Sequence, residues 1–356
     1  MLLVKDQACV MSKFSDLLLA WYDVHRRTLP WRALPSEKPN PYHVWLSEIM
    51  LQQTTVATVK SYFVKFLKLW PTVEVLAATQ QEDILKEWAG LGYYARARNL
   101  HKCAQVIVAS HGGKFPRTEA ELRTLPGVGE YTAAAIAAIA FGEPTTVVDG
   151  NIERITARVF RVQVALPSAK KEIKANVTSL TPSDRPGDFA QAMMDLGSSV
   201  CSPKNPSCLL CPVAIHCAAK GKGDMALYPV KAPKKIRPTR RAVSFWLMHN
   251  DHVLLERRPQ KGLLGGMPGL FSTLWEERED FPTQEEWLPY KPSDDYFKKI
   301  EGEAKHTFTH FHLLTQLVVA KATNKYNIEN GFWHPIAEIE AVGLPTVFKK
   351  ITLLYP

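Results

Sequence analysis

The chain has 356 residues, 46% of them hydrophobic, which suits about two or three packed domains. Lysine and arginine exceed aspartate and glutamate by nine, favouring a polyanionic partner without separating nucleic acid from an acidic membrane surface. No apolar run reaches the ~18 residues of a membrane span, and the apolar start Met1–Val4 is broken by Lys5 and Asp6, so the expectation is a cytoplasmic protein with neither signal peptide nor membrane contact. Phe14, Leu17, Leu18 and Trp21 recur at helical spacing behind Ser12, which reads as a cap. Helical stretches follow at Val44 to Gln53, at Gln81 to Ala89 before Gly90, at Arg96 to Ser110 before Gly112, and at the alanine-rich Tyr131 to Phe141.

The chain up to residue 227 therefore reads as all-α, its organised part beginning at residue 12. Tyr228 to Arg241 holds three prolines, no acid, and the basic residues Lys231, Lys234, Lys235, Arg237, Arg240 and Arg241. That composition predicts an extended cationic linker over 228–241. Beyond it the apolar runs become short and strand-like (Ala242 to Met248, His252 to Leu255, His312 to Val319), predicting a smaller α+β domain over 242–356.

Cys201, Cys208, Cys211 and Cys217 form a Cys-x6-Cys-x2-Cys-x5-Cys run over 201–217. Two disulfides in so short a segment would suit a small secreted domain. Zinc suits four thiolates but usually takes paired C-x2-4-C knuckles, and Cys208 with Cys211 is one knuckle alone. The wider gaps suit an iron–sulfur cluster, with Pro203, Pro206 and Pro212 stiffening the loops between ligands. Of the remaining cysteines, Cys103 fits a packed helix, and Cys9 lies near the N-terminus with no evident task.

Upstream, Leu125-Pro126-Gly127-Val128-Gly129 separates a short helix from Thr118 and the helix from Glu130, a helix, hairpin and helix over 118–141. Gly127 and Gly129 can bring backbone N–H groups and a helix N-terminus to an anion, and for a basic chain a DNA phosphate is the natural one. A Pro-Gly-x-Gly turn also joins helices for structural reasons alone.

Together with Leu29-Pro30-Trp31-Arg32, Ser47-Glu48-Ile49-Met50-Leu51-Gln52-Gln53-Thr54, Gly90-Leu91-Gly92-Tyr93-Tyr94-Ala95-Arg96 and Val148-Asp149-Gly150-Asn151, these motifs resemble the helix-hairpin-helix, iron–sulfur DNA glycosylases, and within them the adenine DNA glycosylases of the MutY type. The blocks cover about residues 20 to 220 in family order. The resemblance implies a 4Fe-4S cluster on the four cysteines and, as partner, double-stranded DNA with adenine opposite 8-oxoguanine or guanine. It also implies a monomer of bacterial type acting on the nucleoid, with protein partners left open.

Breaking an N-glycosidic bond needs a proton for the leaving base and a carboxylate for the electron-poor sugar. Glu48 lies in an apolar helical run, where burial raises a carboxyl pKa, and Asp149 precedes Gly150-Asn151 at a helix start, which favours negative charge. The resemblance makes Glu48 the acid that then helps activate water, and Asp149 the stabiliser of the sugar cation or the group forming a transient covalent adduct with it, with Asn151 and Tyr131 beside them. Tyr131 stands where endonuclease III-like lyases have a nucleophilic lysine, so a monofunctional glycosylase is expected, its hydroxyl set near Asp149 or the sugar, or simply packed. Trp31, Arg32, Leu51 and Gln191 resemble residues of the adenine pocket, Gln53 and Tyr93 those that enter the base stack, and Lys204 one that meets a phosphate.

In the C-terminal domain, His306-Thr307-Phe308-Thr309-His310 resembles the segment recognising 8-oxoguanine, with threonine at 309 where serine is common. The domain resembles a Nudix fold, for which a pyrophosphohydrolase is the competing reading; Glu276-Glu277-Arg278-Glu279-Asp280 does not match its metal-binding helix and reads as a solvated segment. Two further readings stay open for the whole chain: a glycosylase-lyase for oxidised pyrimidines, and a non-catalytic iron–sulfur DNA-binding protein.

Overall fold

The structure, a computed structural model, describes residues 2–35, 37–233 and 236–355, with residues 2–13 in backbone only. Lys234, Lys235 and the side chains of Ser12 and Cys9 lie outside the described residues. The first part of the chain is helical: α1 (Leu2–His25), α2 (Pro41–Leu51), α3 (Val56–Leu69), α4 (Val73–Ala78), α5 (Gln81–Trp88), α6 (Ala95–His111), α7 (Glu119–Leu122), α8 (Glu130–Phe141), α9 (Gly150–Val159), α10 (Lys170–Leu180), α11 (Pro186–Ser199) and α12 (Ala218–Lys222). Among the described residues no helix is long and apolar enough to cross a membrane.

Two expectations about helix ends need correction. Ser12 is not a cap, because α1 begins at Leu2. Leucine, lysine, glutamine and methionine in the preceding residues all favour helix, and one interior serine costs little. At the other site, α2 stops at Leu51, and Gln53 adopts a left-handed φ of 60° instead of continuing the helix. The cause is local: Thr54 N–H donates to the Leu51 carbonyl, and Thr55 then caps α3 by accepting from Thr58 N–H.

The chain divides into two compact units, and the division is not contiguous in sequence. One contains residues up to 78 and the chain from 99 to the linker; the other takes residues 79–98 together with the C-terminal part. In the helical unit, α1, α8, α9 and α11 build a core from Phe14, Leu18, Ala134, Ala138, Ile155, Met193 and their neighbours. The alanines of α8 allow close approach. A Cβ on Gly187 of α11 would stand 2.5 Å from the Ala138 carbonyl oxygen, and one on Gly197 would stand 2.5 Å from Asn151 Cβ of α9. In the hairpin, Thr118 and Glu121 form a reciprocal capping box on α7, and Gly127 turns the chain at φ 75°.

The second unit is built on a mixed sheet. Strands β1 (Thr239–His249), β2 (His252–Arg257), β3 (Pro268–Gly269), β4 (Glu276–Glu277), β5 (Lys298–Lys299), β6 (Ala304–Thr307), β7 (His312–Lys321) and β8 (Gly331–Pro335) surround a long parallel pair of β1 and β7. Side chains alternate across β1: Ala242, Trp246 and Met248 join one cluster, and Val243, Phe245 and Leu247 another on the opposite face. Helix α14 (Thr346–Thr352) covers the first face with Val347, Phe348 and Ile351, while α13 (Gln284–Trp287) sends Trp287 to the second.

Residues 239–241 of the expected linker are already strand, and Arg240 and Arg241 pair in register with Glu277 and Glu276 of β4. The acidic segment is therefore not merely solvated. Its first two residues form a short exposed strand opposite two arginines, a cross-strand charge match that neither segment reveals alone.

Candidate active site

A cavity of about 420 Å³ opens in the helical unit, with Glu48, Tyr131, Asp149 and Asn151 among its lining residues. Glu48 comes from α2, whose start is fixed by Asn40 accepting from Tyr42 N–H (2.9 Å) and by Pro41 in the first turn. The surrounding α2 side chains are apolar and buried, so Glu48 is only 6% exposed. Burial pushes its carboxyl up to about 7, and the nearby Asp149 adds to the rise. Tyr131 of α8 donates its hydroxyl proton to Glu48 Oε2 (2.8 Å), which moderates that rise. The partner of Tyr131 is thus Glu48, not Asp149.

Asp149 caps α9, its Oδ1 accepting from Asn151 N–H (2.9 Å) and Ile152 N–H (2.7 Å), its Oδ2 from Asn151 Nδ2 (2.9 Å). Asn151 is held in turn by Arg154, which donates to Asn151 Oδ1 (3.0 Å), the Gly197 carbonyl (2.6 Å) and the Cys201 carbonyl (2.8 Å). A hydrogen-bonded chain therefore runs from Asp149 to the first cysteine of the four-cysteine loop.

One turn along α9, Arg158 is 1% exposed and donates to the carbonyls of Ser202 (2.8 Å), Pro203 (2.9 Å) and Met225 (3.0 Å) and to Cys201 Sγ (3.1 Å). Cys217 Sγ accepts from Lys220 N–H (3.4 Å). Cys201, Cys208, Cys211 and Cys217 are all free thiols, so the disulfide reading is not supported here. Burial, with the other three cysteines contributing, pushes the Cys211 thiol up to about 11. Among the described residues no three His, Cys, Asp or Glu side chains are drawn close enough together to hold a single metal ion. The donor set nevertheless fits a thiolate-bound group: Cys211 interacts with the other three sulfurs, Cys201, Cys211 and Cys217 pack on the core, and cationic and amide N–H groups are aimed at Cys201 and Cys217.

Residues 46–182 match the family model of the HhH-GPD superfamily base excision DNA repair proteins, and residues 243–354 match that of the NUDIX domain. The chain is 34% identical to the human adenine DNA glycosylase, over 99% of this chain and 76% of that protein. It is 32% identical to the adenine DNA glycosylase of Buchnera aphidicola subsp. Baizongia pistaciae, over 95% of each. The chain belongs to the adenine DNA glycosylase family. A solved thermostable thymine-DNA glycosylase shares the helical fold with a TM-score of 0.54 at 30% identity, covering 60% of this chain and 97% of that one.

The other residues expected at the site of this family member divide between two pockets. Trp31, Arg32, Leu51, Gln53 and Gln191 line the same cavity as Glu48. Trp31 is buried edge-on against Phe63, and Gln191 ties its Nε2 to the Gly187 carbonyl at 3.3 Å. Tyr93, Phe308, Thr309 and His310 line a separate pocket of about 360 Å³ inside the second unit. There Phe308 stacks on Phe311, and the Tyr93 and Thr309 hydroxyls hydrogen-bond to each other. Tyr93, like Gln53, is left-handed (φ 49°), and it is 47% exposed. Gly127 and Gly129 lie in the hairpin away from both cavities, and Gly129 offers α8 no side-chain cap; Lys204 is exposed in the cysteine loop. Among the described residues of 242–356 there is no long glutamate-rich helix: α13 is four residues long and α14 carries no acid.

The sequence reading missed Asp195. This residue of α11 is 1% exposed, and each of its oxygens takes two N–H groups: Oδ1 from Arg27 Nε (2.6 Å) and Arg32 Nη2 (2.8 Å), Oδ2 from Arg32 Nη1 (2.6 Å) and Arg27 N–H (3.0 Å). Its signal was present, since Met193-Met194-Asp195-Leu196 sets an acid in an apolar helical run much as α2 does for Glu48. Arg154 and Arg158 were also missed, although basic residues four apart on the inner face of an amphipathic helix require buried acceptors.

Proposed function

We propose that this chain hydrolyses the N-glycosidic bond of adenine in double-stranded DNA. The observation that carries the reading is a buried glutamate with a raised proton affinity, sharing one cavity with an aspartate on a helix N-terminus. The adenine is flipped out of the duplex into this cavity. Glu48 then gives its proton to the base as the bond to the sugar carbon breaks and the electron pair leaves with adenine. Asp149 faces the resulting oxocarbenium-like sugar, while Glu48, now a carboxylate, takes a proton from the water that adds to it. Tyr131 and Asn151 hold the two carboxylates in place.

Trp31, Leu51, Arg32 and Gln191 enclose the base, Gln191 offering its amide to a purine edge. Gln53 and Tyr93 enter the stack, and Phe308, Thr309 and His310 read 8-oxoguanine or guanine opposite the adenine. We read residues 12–227 as the catalytic region, 228–241 as a linker whose end joins the sheet, and 242–356 as the recognition domain of a monomer acting in the cytoplasm. Among the described residues lining the cavity there is no lysine, which favours hydrolysis over the lyase reaction.

Single-turnover assays on duplexes with adenine opposite 8-oxoguanine test this. Wild type should release adenine and leave the strand intact until alkali is added, while Glu48→Gln binds the duplex without release. Strand cleavage without alkali would favour the lyase, and binding with no wild-type release would favour a non-catalytic protein.

Cys201, Cys208, Cys211 and Cys217 would hold a 4Fe-4S cluster, with Gly127, Gly129 and Lys204 contributing N–H and ammonium groups to DNA phosphates. When bound, the cluster supplies a rigid cross-link for the 201–217 loop. Cys208→Ser should lower iron content and DNA affinity together; unchanged binding and turnover in the iron-free variant would refute a structural role.

A further inference from the structure

Two arginines, Arg27 and Arg32, line the cavity in which Glu48 must remain protonated to act. A guanidinium in that position is a hazard. Unpaired, it would draw the Glu48 proton off by stabilising the carboxylate, and a buried ion pair would replace the acid. The groups facing Glu48 are Tyr131 from α8, Asp149 from the start of α9, and Arg32 from the segment before α2, with Arg27 in the same cavity wall. Helix α3 brings only Val56 to the cavity, and α11 brings Gln191, Met194 and, behind the arginines, Asp195.

Asp195 takes both guanidinium groups at once. Its two oxygens accept the fork of Arg32 and the Nε and backbone N–H of Arg27, all within 3.0 Å. We propose that Asp195 is a positioning residue of the excision site, which holds the Arg32 guanidinium paired to its own carboxylate instead of to Glu48 and thereby preserves Glu48 as a general acid. The proposal rests on the reading of Glu48 as that acid. It also gives the fork a second consequence: Trp31 lies between the clamped positions 27 and 32, so the same carboxylate fixes the aromatic wall of the base pocket.

The test is the pH dependence of single-turnover adenine release, which falls as pH rises through the Glu48 pKa. In Asp195→Asn the side chain keeps its shape and loses its charge, so Arg32 is free to meet Glu48. The midpoint of the fall should move down by about one pH unit, about tenfold in rate on the alkaline side, with duplex affinity and iron content retained. Asp195→Glu should restore the wild-type midpoint, and so should Asp195→Asn combined with Arg32→Met, whatever the amplitude of release. A uniform loss at every pH, with the midpoint unmoved, would overturn the proposal and leave Asp195 a packing residue.

If Asp195→Asn does not fold, Arg32→Met alone decides. Its midpoint should rise only slightly, because Asp195 already offsets most of the Arg32 charge and Arg32 lowers the Glu48 proton affinity least of the groups around it; a rise of about one pH unit would mean that Asp195 does not hold Arg32 off Glu48 and would overturn the proposal. Glu48→Gln, run in parallel, separates the two failures. Release surviving in that variant removes the acid itself, whereas release lost there with an unmoved midpoint in Asp195→Asn removes only the role of Asp195.

Discussion

The cavity of the helical unit and the pocket of the sheet unit use polar groups in opposite ways. Around Glu48 the polar groups are buried or half-buried and tied to fixed partners: Tyr131 to Glu48, Asn151 to Asp149, and two arginines to Asp195. Around Thr309 they are exposed, and the Tyr93 and Thr309 hydroxyls meet at the surface. Burial changes proton affinity, so a site that moves protons benefits from desolvation and from partners that do not exchange. A site that reads a base edge needs hydroxyls that trade one neutral partner for another at little cost.

That contrast can be broken or sharpened by experiment. Asp149→Asn should lower single-turnover release about 10³-fold with duplex binding intact; a loss no larger than that of a surface variant would remove Asp149 from the chemistry. Arg158→Met should cost about 3–4 kcal/mol, because several buried acceptors lose their donor together, measured by denaturant unfolding alongside iron content.

Glu48→Gln should stabilise the protein at pH 8, and the sign follows from linkage. Glu48 holds its proton more tightly folded than unfolded, so stability falls as pH rises from its ordinary value near 4.5 to about 7 in the folded state. Glutamine has no proton to lose, so the variant should gain about 3 kcal/mol above that window and nothing at pH 4. Thermal or denaturant midpoints at the two pH values check this, and equal shifts at both would refute it.

Thr309→Val should reduce discrimination between 8-oxoguanine and guanine about fivefold, as expected for one neutral hydrogen bond, without moving the pH profile of release. A moved profile would mean the two pockets are not separate in function. The smallest effect is expected from Tyr131→Phe. Its lost hydrogen bond had held the Glu48 pKa down, so the alkaline fall in release should move to higher pH.

Much of this organisation was legible in the chain. Helices α5, α6 and α8 and strands β1, β2 and β7 follow local periodicity and end at glycines or turns, which sequence records directly. Glu48 was legible as a buried acid because its own helix supplies the apolar surroundings, and Asp149 because a cap is a local structure. Asp195 carried the same signal, but its partners could not be read, since they lie 163 and 168 residues away and nothing in α11 names them. For the same reason Tyr131 could be assigned a neighbourhood but not its partner, and residues 79–98 gave no sign of grouping with the C-terminal unit. The left-handed turns at Gln53 and Tyr93 were hidden differently: neither residue type announces such a backbone, and each is held there by flanking helix ends.

Gly197 carries a final consequence. The missing carbon atom at this position lets α11 lie against Asn151 and Arg154 and leaves its carbonyl free to receive the Arg154 guanidinium. An added methyl group would therefore strike the residue that holds the Asp149 carboxylate and crowd the residue that holds the first cysteine of the loop. The cap of α9 and the cysteine loop would be displaced together, and neither could be tuned in isolation by changes at that point. This one position is closed to every side chain, whichever residues line the cavity.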